Sequence, residues 1–213
     1  MMTLKQFIYE SLDSTLTVFD LDDTLFTSGA RIKVMHRMGQ RVLKYLTPSQ
    51  FNNYKLLSGQ TFDFSEFRDP HVFAKTAKPI DKIFKRAKAM LGSGNNRVVI
   101  VTARADFTDK GPFLDVFRSH GFDVDKSHVY RAGNIPGDGP KAKQTIIRSL
   151  IEKGSYTRVR MYDDAAKNLD AFLELEDEFP KISFWAYLAS HDGSTARYQR
   201  QGAEHGRRSG FRI

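Results

Sequence analysis

The 213-residue chain contains no cysteine, which excludes disulfides, zinc fingers, iron–sulfur clusters and thiol nucleophiles. No window approaches the roughly 18 consecutive apolar residues that a membrane-spanning helix requires. The opening MMTLKQFIYESLDSTLTVFD has no apolar signal core, so a cytoplasmic protein without a membrane role is the expectation. No G-x-x-x-x-G-K-[ST] occurs, which removes a P-loop kinase. Internal repeats and low-complexity linkers are missing as well. Acidic residues are scarce beside basic ones: 25 Asp+Glu against 33 Lys+Arg leave a formal charge of +8. A polyanion is therefore a reasonable partner. What remains suits one domain with a small insert, and 40% hydrophobic residues suffice for a core.

The positive charge is unevenly placed. Residues 30–97 hold 14 Lys/Arg and 4 Asp/Glu, and residues 191–213 hold 5 Arg and 2 acids. The remainder is net acidic. The pattern reads as an acidic scaffold carrying a basic insert and a basic, flexible tail over 191–213.

Three short β-rich runs, Leu16 to Phe19, Val98 to Val101 and Val159 to Tyr162, end abruptly in polar residues, as buried parallel strands do. Ser127 to Tyr130 and Ile182 to Leu188 are two further strand candidates. Helical patterns fall between them, at Pro79 to Leu91, Phe113 to His120, Pro140 to Lys153 and Asp164 to Glu178. This alternation predicts an α/β sandwich with a mainly parallel sheet, built from residues 1–24 and 76–190. Residues 25–75 break the rhythm and read as a small inserted cap. Ala30 to Leu46 forms two pieces around Met38-Gly39-Gln40, a hairpin pattern, and a short helix follows Pro48. Alternation would place Arg31, Lys33 and Arg37 on one hairpin face and Ile32, Val34 and Met38 on the other. Phe62, Phe64, Phe67 and Phe73 suit a small cap core, or a surface on which bases stack.

The first strand runs into Asp20-Leu21-Asp22-Asp23-Thr24, where carboxylates at i and i+2 can aim into one pocket. An EF-hand loop would need Gly at its sixth position and Glu at its twelfth, and neither register supplies them. The second strand ends in Thr102-Ala103-Arg104. The third ends in Asp163-Asp164, with Asn168 one helical turn on. Pro140 marks a helix start with Lys141 and Lys143 in its first turn. Strand tips and a helix N-terminus share one edge of such a sheet. Four carboxylates, a hydroxyl and an ammonium gathered there suit a divalent metal and a phosphoryl group.

VFDLDDTL, VVIVT, a lysine and YDD, in that order, resemble the four motifs of the haloacid dehalogenase-like (HAD) phosphohydrolase superfamily across residues 16–168. The resemblance implies a Rossmann-like core with a cap and Mg²⁺-dependent phosphoryl transfer through an aspartyl-phosphate. It implies Asp20 as nucleophile, Asp22 as acid/base, Thr102 on a phosphoryl oxygen, and Lys143, or else Lys141, as the motif lysine. Mg²⁺ would be held by Asp20, the Asp22 backbone carbonyl, Asp163 and Asp164. Thr24, Arg104 and Lys141 are further substrate-side candidates, with a structural role for Thr24 and a structural salt bridge for Arg104 as the competing readings. VTARADF also resembles the 3′-phosphatase domain of phage polynucleotide kinase/phosphatases. The expectation is a phosphomonoesterase acting on nucleic-acid 3′-phosphate ends or nucleotides, with a basic cap facing nucleic acid. A small phosphorylated metabolite is the alternative, and a non-catalytic nucleic-acid-binding module is a third reading. Oligomeric state is left open.

Overall fold

The computed structural model describes residues 14–39 and 41–200. Strand β1 (Thr15–Phe19) is central and leads through β2 (Phe26–Thr27) into the insert. The insert holds β3 (Ile32–His36), β4 (Val42–Leu46), helix α1 (Pro48–Asn53), β5 (Gln60–Asp63), a 3-10 turn at Ser65–Arg68 and α2 (Pro70–Thr76). The chain returns through β6 (Lys78–Pro79), which pairs antiparallel with β2, Phe26 opposite Pro79 and Thr27 opposite Lys78. Then α3 (Asp81–Leu91), β7 (Asn96–Thr102), α4 (Gly111–Ser119), β8 (His128–Arg131), a 3-10 turn at Ala132–Asn134 and α5 (Gly139–Glu152) follow. The chain goes on through β9 (Arg158–Asp163), α6 (Ala166–Leu173), α7 (Leu175–Glu178), β10 (Ser183–Ala189) and β11 (Thr195–Tyr198).

The main sheet has the order β11-β10-β9-β1-β7-β8. Its five strands from β10 to β8 are parallel, and β11 joins antiparallel at one edge. Alternation along β1 explains the three layers. Phe19 packs on one face with Ile83, Phe84, Phe113 and Phe117 of α3 and α4. Leu16 and Val18 pack on the other with Ile147, Leu150, Leu169 and Phe172 of α5 and α6. Both faces of the inner strands are covered, which is why they read as unbroken apolar runs.

The cap is a three-stranded antiparallel sheet, β4-β3-β5. Ile32, Val34 and Leu46 form its core with Phe51, Tyr54, Phe62, Phe64 and Phe67 packed against them. A capping box between Thr47 and Gln50 starts α1 behind Pro48. Phe73 departs from the expected cap core. It is fully buried against Phe26, Phe113 and Phe117 in the main core, so α2 belongs to the scaffold by packing.

Four expectations need correction. The stretch 191–213 is not wholly a tail: Gly193, at φ +76°, turns the chain so that Thr195–Tyr198 adds β11, with Arg197 over the Trp185 and Tyr187 rings. The part over 201–213 lies outside the described residues. The single helix expected over 164–178 is two, α6 and α7, with Glu174 between them. Met38 does not share the buried hairpin face; it sits in the turn after β3 and is 93% exposed. Six of the 14 basic residues in 30–97 (Lys78, Lys82, Lys85, Arg86, Lys88 and Arg97) lie on β6, α3 and β7, so the cap is less basic than the window suggested.

Candidate active site

The carboxyl ends of β1, β7 and β9 meet the first turn of α5, and the Asp20 N–H is tied to the Tyr162 carbonyl at 2.9 Å. Leu21 points into the core, so Asp20 and Asp22 both face one cleft. Asp23 then takes φ 61°, the left-handed region that a non-glycine residue enters at a cost of about 1–2 kcal/mol. Its N–H bonds the Phe26 carbonyl at 2.8 Å, and the N–H groups of Leu25 and Phe26 both reach the Leu21 carbonyl. This tight reversal feeds β2. It also buries Thr24 completely and places it in the turn, away from the cleft lining.

Lys143 is the centre of the site. It is 3% exposed, and its Nζ donates to Asp20 Oδ1 at 2.6 Å and to Asp163 Oδ2 at 2.8 Å. The Asp163 Oδ1 atom accepts from the Ala165 N–H at 2.9 Å and from Asn168 Nδ2 at 2.8 Å. Lys141 is corrected. Two residues apart on a helix point to opposite sides, and Lys141 turns outward with its Nζ 2.5 Å from Glu174 Oε2. The cap of α5 is Asp138, whose side chain accepts the Lys141 N–H at 2.9 Å.

Arg104 binds Asp22 in two-pronged fashion: Nε to Oδ2 at 2.8 Å and Nη2 to Oδ1 at 2.7 Å. Its Nη2 also donates to Ser28 Oγ at 3.1 Å and its Nη1 to the Phe67 carbonyl at 3.3 Å. The guanidinium lies between the Phe67 and Phe73 rings, 4.7 and 4.8 Å from their centroids. Phe73 lies tilted 4.7 Å from Phe113, and Arg131 lies between Phe113 and Phe107 at 4.2 and 4.6 Å. A continuous row of rings and guanidiniums thus runs from the cap into the scaffold. Thr102 is fully buried at the tip of β7; its Oγ1 accepts the Arg104 N–H at 3.1 Å, and it does not line the cleft.

Burial pushes the Asp20 carboxyl up to about 7, with Lys143 pulling down and Asp163 pushing up. Burial, then the charges of Asp20 and Asp163, raise Asp164 to about 8. Burial alone would lower the Lys143 ammonium, but Asp163 and Asp20 outweigh it and hold it above the ordinary lysine value. The site therefore carries more carboxylates than one lysine can neutralise. Asp20, Asp163 and Asp164 each bring one oxygen within 4.8 Å of the other two. Hard oxygen donors with uncompensated negative charge fit Mg²⁺. The Asp22 carboxylate is outside this set, because Arg104 holds it.

Above the carboxylates lies a cleft of about 520 Å³. The cap lines it with Ile32, Pro48, Phe51, Phe64, Phe67 and Arg68, and Lys167 and Asn168 of α6 stand opposite. Lys167 Nζ sits 5.6 Å from the Phe51 ring centroid, across the mouth. Sequence reasoning passed over Arg68, Lys167 and Arg131. A lysine at the start of a helix carries no signal until the cap ring it meets is placed.

No protein-family model and no curated protein matches the chain. Among solved structures it is similar to the HAD domain of effector protein Lem4 from Legionella pneumophila, at 12% identity and a TM-score of 0.49, covering 82% of this chain and 85% of that one.

Proposed function

We propose that the chain is a phosphomonoester hydrolase of the HAD type, working through an aspartyl-phosphate on Asp20. The observation that carries this reading is the buried Lys143 bridging Asp20 and Asp163 beneath the cleft. With Oδ1 of Asp20 held by Lys143, its other carboxylate oxygen is free to attack phosphorus. Carboxylates are weak nucleophiles, so fixed orientation and charge neutralisation supply most of the acceleration. Asp22 gives a proton to the departing ester oxygen and takes one from the water that later cleaves the acyl phosphate. In the structure both Asp22 oxygens accept from Arg104, so each proton transfer requires Asp22 to give up one of these hydrogen bonds, and Arg104 draws the carboxylate back between the steps. Mg²⁺, held by Asp20, Asp163 and Asp164, would neutralise charge on the phosphoryl oxygens.

The favoured substrates are nucleic-acid 3′-phosphate ends or nucleotides, supported by the exposed cap cations Arg31, Arg37 and Arg41. A small phosphorylated metabolite is the second reading, favoured by a cleft that falls within the range of small-molecule sites, about 300–1,000 Å³. The non-catalytic reading loses ground because every carboxylate the chemistry needs stands at the cleft or beside it. The test is a phosphate-release screen with Mg²⁺ over 3′- and 5′-phosphorylated oligonucleotides, nucleotides and sugar phosphates. Asp20→Asn, which keeps the shape and removes the attacking charge, should lower turnover at least a hundredfold with the fold intact. Release from no substrate above that control would end the proposal.

A further inference from the structure

The cap contributes six residues to the cleft wall, and five of them (Ile32, Pro48, Phe51, Phe64 and Phe67) offer only carbon. Arg68 is the single polar side chain among them. Phe51 and Phe64 meet edge to face at 5.4 Å and Phe62 braces both, at 4.9 and 5.9 Å, so the wall is rigid on its cap side. Phe51, Phe64 and Phe67 are only partly buried. They pack in the cap core and also present ring surface to the cleft. Across the space stand the carboxylates and Lys143.

A phosphate ester bound with its phosphorus at Asp20 must direct its alcohol portion toward this wall. A sugar or a polyol would there exchange water for carbon and leave its hydroxyls unpaired, which is costly. A nucleobase can lay its apolar face on the rings and gain stacking, while its polar edge and the attached sugar meet the polar side of the cleft, where Arg68, Asp138, Lys167 and Asn168 stand. A sphere holding about 520 Å³ is only ~10 Å across, so the space accepts one nucleoside and not a stack of several. Lys167 over Phe51 and Arg104 over Phe67 pin the wall to the scaffold on two sides.

We infer that the Phe51–Phe64–Phe67 wall is a seat for a single nucleobase, which makes nucleoside phosphates, free or at a strand terminus, the substrate class. This rests on the phosphatase reading for turnover, and not for binding. Thymidine 3′-phosphate and glycerol 2-phosphate are the paired probes, with and without a base. In turnover the wild type should prefer the former by about tenfold or more in kcat/KM, the scale of one base–ring stack. Phe64→Leu, which keeps apolar bulk and loses the ring, should reduce that preference about tenfold, and Phe64→Tyr should restore it.

Calorimetric titration of both probes into Asp20→Asn and Asp20→Asn/Phe64→Leu proteins repeats the comparison without chemistry, and thermal melts check that each variant folds. A preference that stays within twofold of the parent in Phe64→Leu, in turnover and in binding, overturns the seat while leaving the phosphatase reading intact. Base-dependent binding lost in Phe64→Leu, with no phosphate release from any ester, sustains the seat and overturns the phosphatase reading.

Discussion

At the scale of single residues, the raised carboxyls of Asp20 and Asp164 tie stability to pH. In the unfolded chain both titrate near the usual value of 3.8; in the folded, metal-free protein they titrate near 7 and 8, chiefly through burial. The folded state thus binds more protons between those limits, so stability falls as pH climbs from about 4 to 8. In EDTA the melting temperature should therefore drop between pH 5 and pH 8. Mg²⁺ should raise it, and more at pH 8, where the carboxylates are open to a cation. An equal Mg²⁺ effect at both pH values would remove these aspartates from the cation site. The identities of these residues were legible in the sequence, because buried strands that stop in acids announce a strand-tip site. Their partners were only partly legible. The choice between Lys143 and Lys141 needed the phase of α5 against the sheet. For Arg104, the clasp on Asp22 needed the tips of β1 and β7 to be placed side by side, and its further bonds to Ser28 and Phe67 needed the insert.

At the scale of elements, the turn after β8 positions the loop that carries Arg104. A Cβ added at Gly133 would lie 2.4 Å from the Ala103 carbonyl oxygen and 2.6 Å from the Ala105 nitrogen, both backbone atoms that cannot swing aside. Gly133→Ala must push that loop from its place. It should cost about 1–3 kcal/mol in urea unfolding, as overpacking does, and slow turnover beyond what the stability loss explains, because the Arg104–Asp22 pair moves with the loop. Normal kcat in a folded Gly133→Ala protein would show that Asp22 does not depend on this geometry. The strand and helix pattern of the scaffold was readable because period-2 and period-3.6 signals are local. The membership of Phe73 was not, since four phenylalanines within a dozen residues look alike until the packing of α2 separates one from the rest. Strand β11 was hidden for a related reason: four residues among arginines and serines carry no pattern of their own, and pairing with β10 supplies the order.

At the scale of the whole molecule, the distribution of charge decides how the protein meets a polyanion. Lys33 is spent inside the cap, 3.0 Å from Ser65 Oγ and 3.9 Å from both Asp63 and Glu66. Arg31, Arg37 and Arg41 remain exposed. Reversing these three should raise KM for a 3′-phosphorylated oligonucleotide and flatten the dependence of log KM on log salt by about 2, at about 0.7 per lost contact on a single strand. Thymidine 3′-phosphate should respond far less, having no chain to follow. If both substrates shift alike, no nucleic-acid strand runs along this surface, and the protein acts on free nucleotides.

The pairing of β2 with β6 has a consequence for the history and reuse of this architecture. The polypeptide leaves the scaffold at Phe26–Thr27 and returns beside it at Lys78–Pro79, the two segments separated by one hydrogen-bonded spacing, about 4.8 Å. To the scaffold, everything between these points is a loop whose ends are already joined, and a closed loop can lengthen or change content at small entropic cost. The lid over the cleft can thus be exchanged as a cassette while the chemistry beneath stays as it is. The graft has one condition. Any replacement must still deliver a phenylalanine to the place of Phe73, because that ring fills the scaffold and supports the arginine that holds Asp22.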